Sequence, residues 1–162
     1  MVAMLSVLQP VIYIQISPNR LTLKNLKTGE TIAEIPEVAI SAPPKRRVLA
    51  VGPQARQAAK ASPGAEVVNP FAHPRTLISD FTAAEMLVKH QVRRILGNSI
   101  FFLAPRIVIH PLGSPEGGFT QIEHRAIHEL AISAGASAAW IRTGHPLTDD
   151  EITQVVTGKL EP

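Results

Sequence analysis

Two runs of alternating apolar and polar residues open the chain. They are VIYIQI and LTLKNL within residues 11–26, and they are joined through Ser17-Pro18-Asn19-Arg20. Alternation with a period of two residues is typical of a half-buried β-strand, and proline followed by asparagine favours a turn. The pattern therefore predicts an antiparallel β-hairpin whose turn lies at residues 17–20.

The next part of the chain has the pattern of short strands and one short helix. Strand-like stretches occur in 30–43, where they are broken at Pro36, and again in 47–52. The Ala-rich segment 53–62 begins with proline, which suits the first turn of a helix. Segment 65–79 contains two prolines, and we interpret it as an irregular connection.

Apolar residues at helical spacing predict a longer helix over 82–98. Thr82 and Glu85 have the spacing of a capping box at its start, and Gly97 is expected to end it. One face of this helix should belong to the core. The predicted core positions are Ala84, Leu87, Val88, Val92 and Ile95.

A second long helix is predicted over 120–136, with a capping box at Thr120 and Glu123. Its predicted core positions are Ile122, Ala126, Ile127, Leu130 and Ala134. The compact apolar runs 105–110 and 137–144 flank this helix and predict strands. A strand, a helix and a strand in this order indicate a right-handed parallel crossover, and the chain is therefore predicted to have an α/β fold.

Composition excludes several classes of protein. With 45% hydrophobic and 18% charged residues, the 162-residue chain can bury the core of one domain, and the lack of cysteine excludes disulfides and thiolate chemistry. The net charge is +3, and we interpret the acid-rich residues 149–162 as a tail. Residues 1–16 are apolar but too few to span a bilayer, and they lack the basic start of a secretory signal, so we expect a cytoplasmic protein.

The segment PRIVIHPLGSPEGGFTQIEHRAIHELAISAGASAAWI, residues 105–141, resembles the MreB family of bacterial actins. In that family a strand opened by Pro-Arg leads to a helix with Glu-Arg-Arg-Ala-Ile and then to Ala-Gly-Ala. Glu123-His124-Arg125-Ala126-Ile127 and Ala134-Gly135-Ala136 occupy those places here. Residues 67–90 are similar to the family's Pro-x-x-x-Gly-x-Ile-x-Asp-Phe segment, with Leu77 in place of the glycine.

The similarity spans residues 11–148 and implies an actin-like, ribonuclease H-like fold. We expect residues 1–162 to form one half-molecule, in which helices pack on a mixed sheet that opens with an antiparallel hairpin. Residues 36–68 should form a small outer subdomain inserted in it. Family members are about twice this length, so the chain is expected to lack the second half that closes over ATP.

The resemblance also implies a phosphate-binding hairpin turn, from which this sequence departs. The family's turn reads Asp-x-Gly-Thr, and Gln15, Ser17 and Pro18 stand in the places of the Asp, Gly and Thr. A neutral glutamine brings no charge to Mg²⁺, and proline has no N–H to donate to phosphate. We therefore expect a degenerate phosphate loop, no cofactor and no enzymatic activity.

Glu123 matches the family's glutamate that positions the attacking water, so it would be catalytic only if ATPase activity survives. The capping box with Thr120 accounts for the same residue without catalysis. His124 and His128 lie one helical turn apart, a spacing that suits a metal, but the sequence implies no third ligand. We expect no metal site.

A hydrophobic stretch, Ile100-Phe101-Phe102-Leu103, precedes Arg106. By resemblance it is the family's membrane-insertion loop, and two adjacent phenylalanines near arginines suit an anionic lipid surface. The alternative is a strand edge buried in the core. Lys45-Arg46-Arg47 is too short and too isolated to indicate nucleic acid, which we do not expect as a partner.

These observations lead to one main hypothesis and two alternatives. The first is a non-catalytic MreB-like protein of cell shape and cytoskeletal organisation, which contacts a full-length MreB-type filament protein or a second copy of itself, and which also meets the inner membrane peripherally. One alternative is a nucleotide-dependent ATPase-type protein that assembles its site from two chains, with Glu123 as the base. The other is a lipid-binding peripheral module.

Overall fold

The computed structural model of the chain describes residues 8–98, 103–113 and 115–160. Within them lie eight strands: β1 (Val11–Ile16), β2 (Leu21–Asn25), β3 (Thr31–Glu34), β4 (Val38–Ile40), β5 (Val48–Val51), β6 (Glu66–Val68), β7 (Arg106–Pro111) and β8 (Ala138–Ile141). The helices are α1 (Ala55–Lys60), which follows a 3₁₀ turn at Gly52–Gln54, then α2 (Phe81–Leu96), α3 (Gln121–Ser133) and α4 (Asp149–Val156).

The main sheet has the strand order β3-β2-β1-β7-β8. Its first three strands form antiparallel pairs, with Ile16 opposite Leu21 at the hairpin. Strand β7 runs parallel to β1, and β8 runs parallel to β7. The predicted mixed sheet, its opening hairpin and the parallel crossover through α3 are therefore confirmed.

The two faces of the main sheet follow from the alternation along β1. Ile12, Ile14 and Ile16 are fully buried in the larger core, which α2 and α3 cover. Tyr13 points to the other face, where it belongs to a smaller cluster with Val108. The predicted core positions of α2 are all buried: Ala84, Leu87, Val88, Val92 and Ile95.

The predictions for the ends of the two long helices were correct in part. Gly97 ends α2 in a left-handed conformation with φ of 70°, as expected. The capping box at Thr82 and Glu85 is wrong, because Asp80 is the N-cap and its side chain accepts a hydrogen bond from the Ala83 N–H at 2.9 Å. The capping box of Thr120 and Glu123 at the start of α3 is confirmed.

Ile122 is not a core residue, since it is 81% exposed. It lies in the first turn of α3, outside the stretch of the helix that packs on the sheet. Ile127, Leu130 and Ala134 are buried as predicted, whereas Ala126 is half-buried.

A second sheet, with the order β5-β4-β6, lies with α1 in the segment 36–68 for which a small outer subdomain was predicted. Strand β6 falls in the segment interpreted as irregular, which corrects that interpretation. It has only three residues, and its pairing with β4 stabilises it. Glu34 of β3 accepts hydrogen bonds from Gln91 at 3.1 Å and Arg94 at 2.8 Å, both of α2, and Gly52, which follows β5 of the outer sheet, lies against the same carboxylate.

The acid-rich segment 149–162, interpreted from its charge as a tail, contains helix α4. Its acidic residues Asp149, Asp150 and Glu151 form the first turn, where negative charge interacts favourably with the helix dipole. Ile152, Val155 and Val156 are buried against the second face of the main sheet. No helix in the described part of the chain has the length and apolar character needed to cross a membrane.

Candidate functional site

The turn between β1 and β2, residues 17–20, closes on itself. The Ser17 N–H donates to the Arg20 carbonyl at 3.0 Å, and the Arg20 N–H donates to the Ser17 hydroxyl at the same distance. The Ser17 hydroxyl in turn donates to the Arg20 carbonyl at 2.9 Å. The backbone donors of Ser17 and Arg20 are therefore used within the turn, and Pro18 has no N–H.

The segment that follows β6 contributes a further contact to this turn. The Asn69 side-chain amide donates to the Pro18 carbonyl at 2.9 Å, while its oxygen accepts from the Phe71 N–H at 3.1 Å. Asn69 thus holds the turn and the segment after β6 together. No pattern along the chain indicated this pair, whose members are 51 positions apart.

Gln15, the first residue of the predicted degenerate loop, lies in β1 just before the turn. It is half-buried in β1, and its amide is 3.5 Å from the Tyr13 hydroxyl on the second face of the main sheet. Of the three residues of the predicted degenerate loop, Ser17 and Pro18 are therefore in the turn itself. Gln15 belongs to the strand that precedes it.

Pro18 and Glu123 come together across a cavity of about 240 Å³ at the carboxyl ends of β1 and β7. Apolar side chains provide much of its wall: Phe71, Leu77, Leu112 and Phe119. The structure thus places the degenerate turn and the candidate catalytic glutamate at one site, although they are more than a hundred positions apart in the sequence.

Hydrogen bonds occupy both carboxylate oxygens of Glu123. One oxygen accepts from the Thr120 N–H at 2.9 Å and from its hydroxyl at 3.0 Å. The other accepts from the Leu77 N–H at 3.4 Å. The backbone N–H of Thr120 is the main cause that lowers the pKa of Glu123, so its carboxylate is a weaker base than an ordinary glutamate.

His124 and His128 are exposed on α3. The His124 ring packs edge-on against Phe119, with ring centroids 6.4 Å apart. Over residues 8–98, 103–113 and 115–160, no group of three or more His, Cys, Asp or Glu side chains is placed to hold a metal ion.

Of the membrane-contact candidates, Ile100, Phe101 and Phe102 lie outside the described residues. Leu103 is half-buried. The Arg106 guanidinium donates to the Val156 carbonyl at the end of α4, at 3.3 Å. Arg106 therefore contributes to the docking of α4.

Comparisons with known proteins agree with the resemblance found in the sequence. The family model described as MreB/Mbl protein matches residues 22–145. The cell shape-determining protein MreB of Escherichia coli K12 is 31% identical over 122 residues, which cover 68% of this chain and 33% of the relative; MreB of Salmonella typhimurium gives the same values. The chain thus spans about a third of the length of these relatives.

Solved structures support the fold. MreB5 of Spiroplasma citri bound to ADP superposes with a TM-score of 0.61 and 20% identity, over 83% of this chain and 38% of that protein. A non-polymerising mutant of MamK bound to AMPPNP gives a TM-score of 0.64 at 12% identity, over 83% and 41% of the two chains. Together with the family match, they establish that the chain has an actin-like fold and belongs to the MreB/Mbl family.

Proposed function

We propose that this chain is a non-catalytic member of the MreB/Mbl family that takes part in cell-shape and cytoskeletal organisation through protein contacts. The observation that carries the proposal is the closed turn at residues 17–20. A phosphate-binding turn needs backbone N–H groups directed at the anion. In this turn Ser17 and Arg20 direct theirs at each other, and Pro18 has none.

The state of Glu123 supports the same conclusion. A general base or a water-positioning carboxylate needs an oxygen available to the water and a pKa suited to taking up a proton. The hydrogen bonds from Thr120 and Leu77 engage both oxygens of Glu123 and lower its pKa. Its present role is then to cap α3 and to hold the loop around Leu77.

Calorimetric titration with Mg-ATP, up to millimolar nucleotide, tests the absence of nucleotide binding. MreB5 of Spiroplasma citri, whose solved structures hold ADP and AMPPNP, is the positive control. We expect no saturable heat from this chain under conditions in which the control binds. Saturable binding would overturn the proposal, and ATP hydrolysis that is lost on Glu123→Gln substitution would support an ATPase assembled from two chains.

The proposed partners are a full-length MreB-type filament protein or a second copy of this chain. A fold neighbour, MamK, is known as a double helical filament, which supports assembly as a property of this fold. Sedimentation velocity tests self-association, and co-pelleting with polymerised MreB tests docking onto a filament. A chain that stays monomeric and never enters the pellet would contradict the partner proposal.

We also propose that the protein is cytoplasmic and reaches the inner membrane peripherally. The exposed side chains Lys89 and Arg93 make the outer face of α2 basic near its C-terminal end. Lys89 and Arg93 line a groove that also contains Ala104 and Pro105, which follow directly after the hydrophobic stretch 100–103. Cationic side chains beside a hydrophobic stretch suit an anionic lipid surface.

A further inference from the structure

A buried polar network lies on the second face of the main sheet, away from the cavity at Pro18 and Glu123. His110 of β7 has no exposed surface, and its Nδ1 is 2.6 Å from the Tyr13 hydroxyl. Its Nε2 is 3.2 Å from the Gly144 carbonyl. The Tyr13 oxygen also accepts from the Leu147 N–H at 3.1 Å and lies 3.5 Å from the Gln15 amide.

These contacts fix the position of every proton in the network. Since a carbonyl can only accept, the proton of a neutral His110 is on Nε2, where it donates to Gly144. Nδ1 then accepts, and the Tyr13 hydroxyl is its donor. The Tyr13 oxygen keeps its lone pairs for Leu147 and Gln15. Every donor and acceptor of the network therefore has a hydrogen-bond partner only while His110 is neutral.

The network lies at the start of helix α4. Gly144 and Leu147 belong to the loop that follows β8, and α4 begins two residues after Leu147. The apolar face of α4 packs on Tyr13 and Val108. Both ends of α4 are also held by the main sheet. Asp149 at its start pairs with Lys24 at 2.7 Å, and the carbonyl of Val156 at its end accepts a hydrogen bond from Arg106.

We propose that the Tyr13–His110 pair is a pH-sensitive latch, which holds residues 142–148 and α4 on the main sheet and releases them when His110 takes up a proton. Protonation places a second N–H on the ring, directed at the Tyr13 oxygen. The Tyr13 hydroxyl proton then loses its acceptor, and a charge is created with no access to water. Both costs vanish if the loop moves away and exposes His110.

Burial is the main cause that lowers the pKa of His110, which agrees with a ring kept neutral in the latched state. Glu151 of α4 acts on Tyr13 and His145 of the loop acts on His110. The elements packed on the network also carry Lys24 on β2, Arg106 on β7, Arg142 in the loop and Asp149 on α4, and these bond to one another or to backbone carbonyls. The hydrogen bond to the Gly144 carbonyl raises the pKa of His110 and the nearby His145 lowers it, while burial and, to a smaller extent, Glu151 raise the pKa of Tyr13.

The sign of the pH dependence follows from the lowered pKa. The latched state favours neutral His110, whereas the released state binds a proton with an ordinary pKa of about 6.5. The latch is therefore at full strength above about pH 6.5 and weakens as the pH falls below it. Each release of α4 is accompanied by the uptake of one proton. The opening constant of α4 should therefore rise by up to about tenfold for each pH unit by which the pH is lowered.

Amide hydrogen exchange between pH 5 and pH 8, corrected for intrinsic rates, measures this opening constant. We expect α4 amides to open more readily than those of α2 below pH 6.5, and the fluorescence of Trp140, the single tryptophan, to change in parallel because it packs beside α4. Equal opening constants for α4 and α2 at every pH would overturn the latch, since the domain would then open as a whole.

Two variants isolate the residue responsible. His110→Gln can accept from Tyr13 and donate to Gly144 without titrating, so the pH dependence of α4 opening should disappear. His145→Gln is the matched control, because His145 is exposed and close to Glu151, and it should keep the pH dependence. Loss of the dependence in His145→Gln and its persistence in His110→Gln would assign the effect to the wrong histidine and reject the proposal.

A measurement on the unmodified chain covers the case in which His110→Gln does not fold. NMR titration of the imidazole resonances gives the tautomer and the pKa of His110 directly. We expect the Nε2–H tautomer at pH 7.5 and a pKa below 6.5. A pKa at or above 6.5, or the Nδ1–H tautomer, would overturn the proposal.

Discussion

The Asn69 side chain donates a hydrogen bond to the Pro18 carbonyl at 2.9 Å, and this bond joins the residue just after the outer subdomain to the turn between β1 and β2. The same side chain accepts from the Phe71 N–H. Asn69 therefore fixes two walls of the cavity that also contains Glu123. The turn is held closed both by its own bonds and from outside.

Two substitutions of Asn69 should measure separately what its two hydrogen bonds contribute to the free energy of unfolding. Asn69→Asp keeps the acceptor for Phe71 but loses the donor to Pro18, whereas Asn69→Ala loses both. With a net value of about 0.5–1.5 kcal/mol for each bond, the alanine variant should lose more free energy of unfolding than the aspartate variant. Urea denaturation measures both. Equal losses would show that the bond to Phe71 is offset by repulsion between the introduced carboxylate and the Pro18 carbonyl.

The fold was predictable where local pattern and burial agree. The hairpin follows from alternation in 11–26, and α2 follows from apolar residues at helical spacing that are all buried. Gly97 ended the helix as expected because a left-handed terminal residue favours glycine.

Other elements were missed because their cause is not local. Strand β6 has three residues and depends on pairing with β4, which comes from a distant segment. Helix α4 was not predicted because the acidic residues of its first turn led us to interpret the segment as a tail, although Ile152, Val155 and Val156 have helical spacing. Asp80 and Thr82 are both good N-cap residues two positions apart, and the spacing alone did not choose between them.

For the candidate site, the sequence allowed us to predict only how its residues differ from those of a phosphate-binding turn and how Glu123 is capped. Gln15, Ser17 and Pro18 could be seen to differ from a phosphate-binding turn, and Thr120 could be seen to pair with Glu123. The contact between Glu123 and the Leu77 N–H had no signal, because any residue but proline offers the same backbone donor. The polar pair Tyr13 and His110, inside strands predicted to be buried, was a signal that could have been used.

Gly52→Ala should destabilise the junction between the two sheets. Gly52 has φ of 63°, and an added Cβ would overlap the carboxylate of Glu34, which pairs with Arg94. Gly29→Ala is the matched control, since its φ is 76° and nothing lies within 4 Å of the added atom. We expect a loss of about 1 kcal/mol for Gly29→Ala from backbone strain alone and about 2–3 kcal/mol for Gly52→Ala. Similar melting temperatures for the two variants would contradict the overlap.

The capping boxes should make the protein sensitive to acid. Thr120 and Thr148 donate to Glu123 and Glu151, and these backbone and hydroxyl hydrogen bonds lower the pKa of both carboxyls in the folded state. Their contribution is therefore complete above the unfolded pKa of about 4.3 and is lost as the pH falls through the lower folded values.

Thr120→Ala removes one of these caps and tests its strength. At pH 7 the variant should lose about 1 kcal/mol of the free energy of unfolding, within a range of about 0.5–2 kcal/mol. At pH 2, well below the ordinary pKa of a glutamate, the difference from the unmodified chain should shrink as the carboxyl of Glu123 takes up a proton. Urea titrations at both pH values measure it. A difference that does not change with pH would show that the Thr120 hydroxyl acts without the carboxylate.

Replacement of both phenylalanines in the stretch 100–103 tests the membrane proposal. Full burial of a phenylalanine contributes about 1.5–3 kcal/mol, so Phe101→Ser with Phe102→Ser should weaken binding to phosphatidylglycerol vesicles by about tenfold or more. Val67→Ser is the control, because Val67 is an exposed apolar residue of the outer sheet and should leave pelleting unchanged.

Lys89→Glu with Arg93→Glu tests the electrostatic part of the same proposal. This double variant should reduce pelleting in 50 mM salt and differ little from the unmodified chain in 500 mM salt, where surface charges are screened. Neutral phosphatidylcholine vesicles should bind the unmodified chain and the charge variant equally weakly. Equal pelleting of the unmodified chain and both double variants would remove the membrane from the proposed function and leave protein contacts alone.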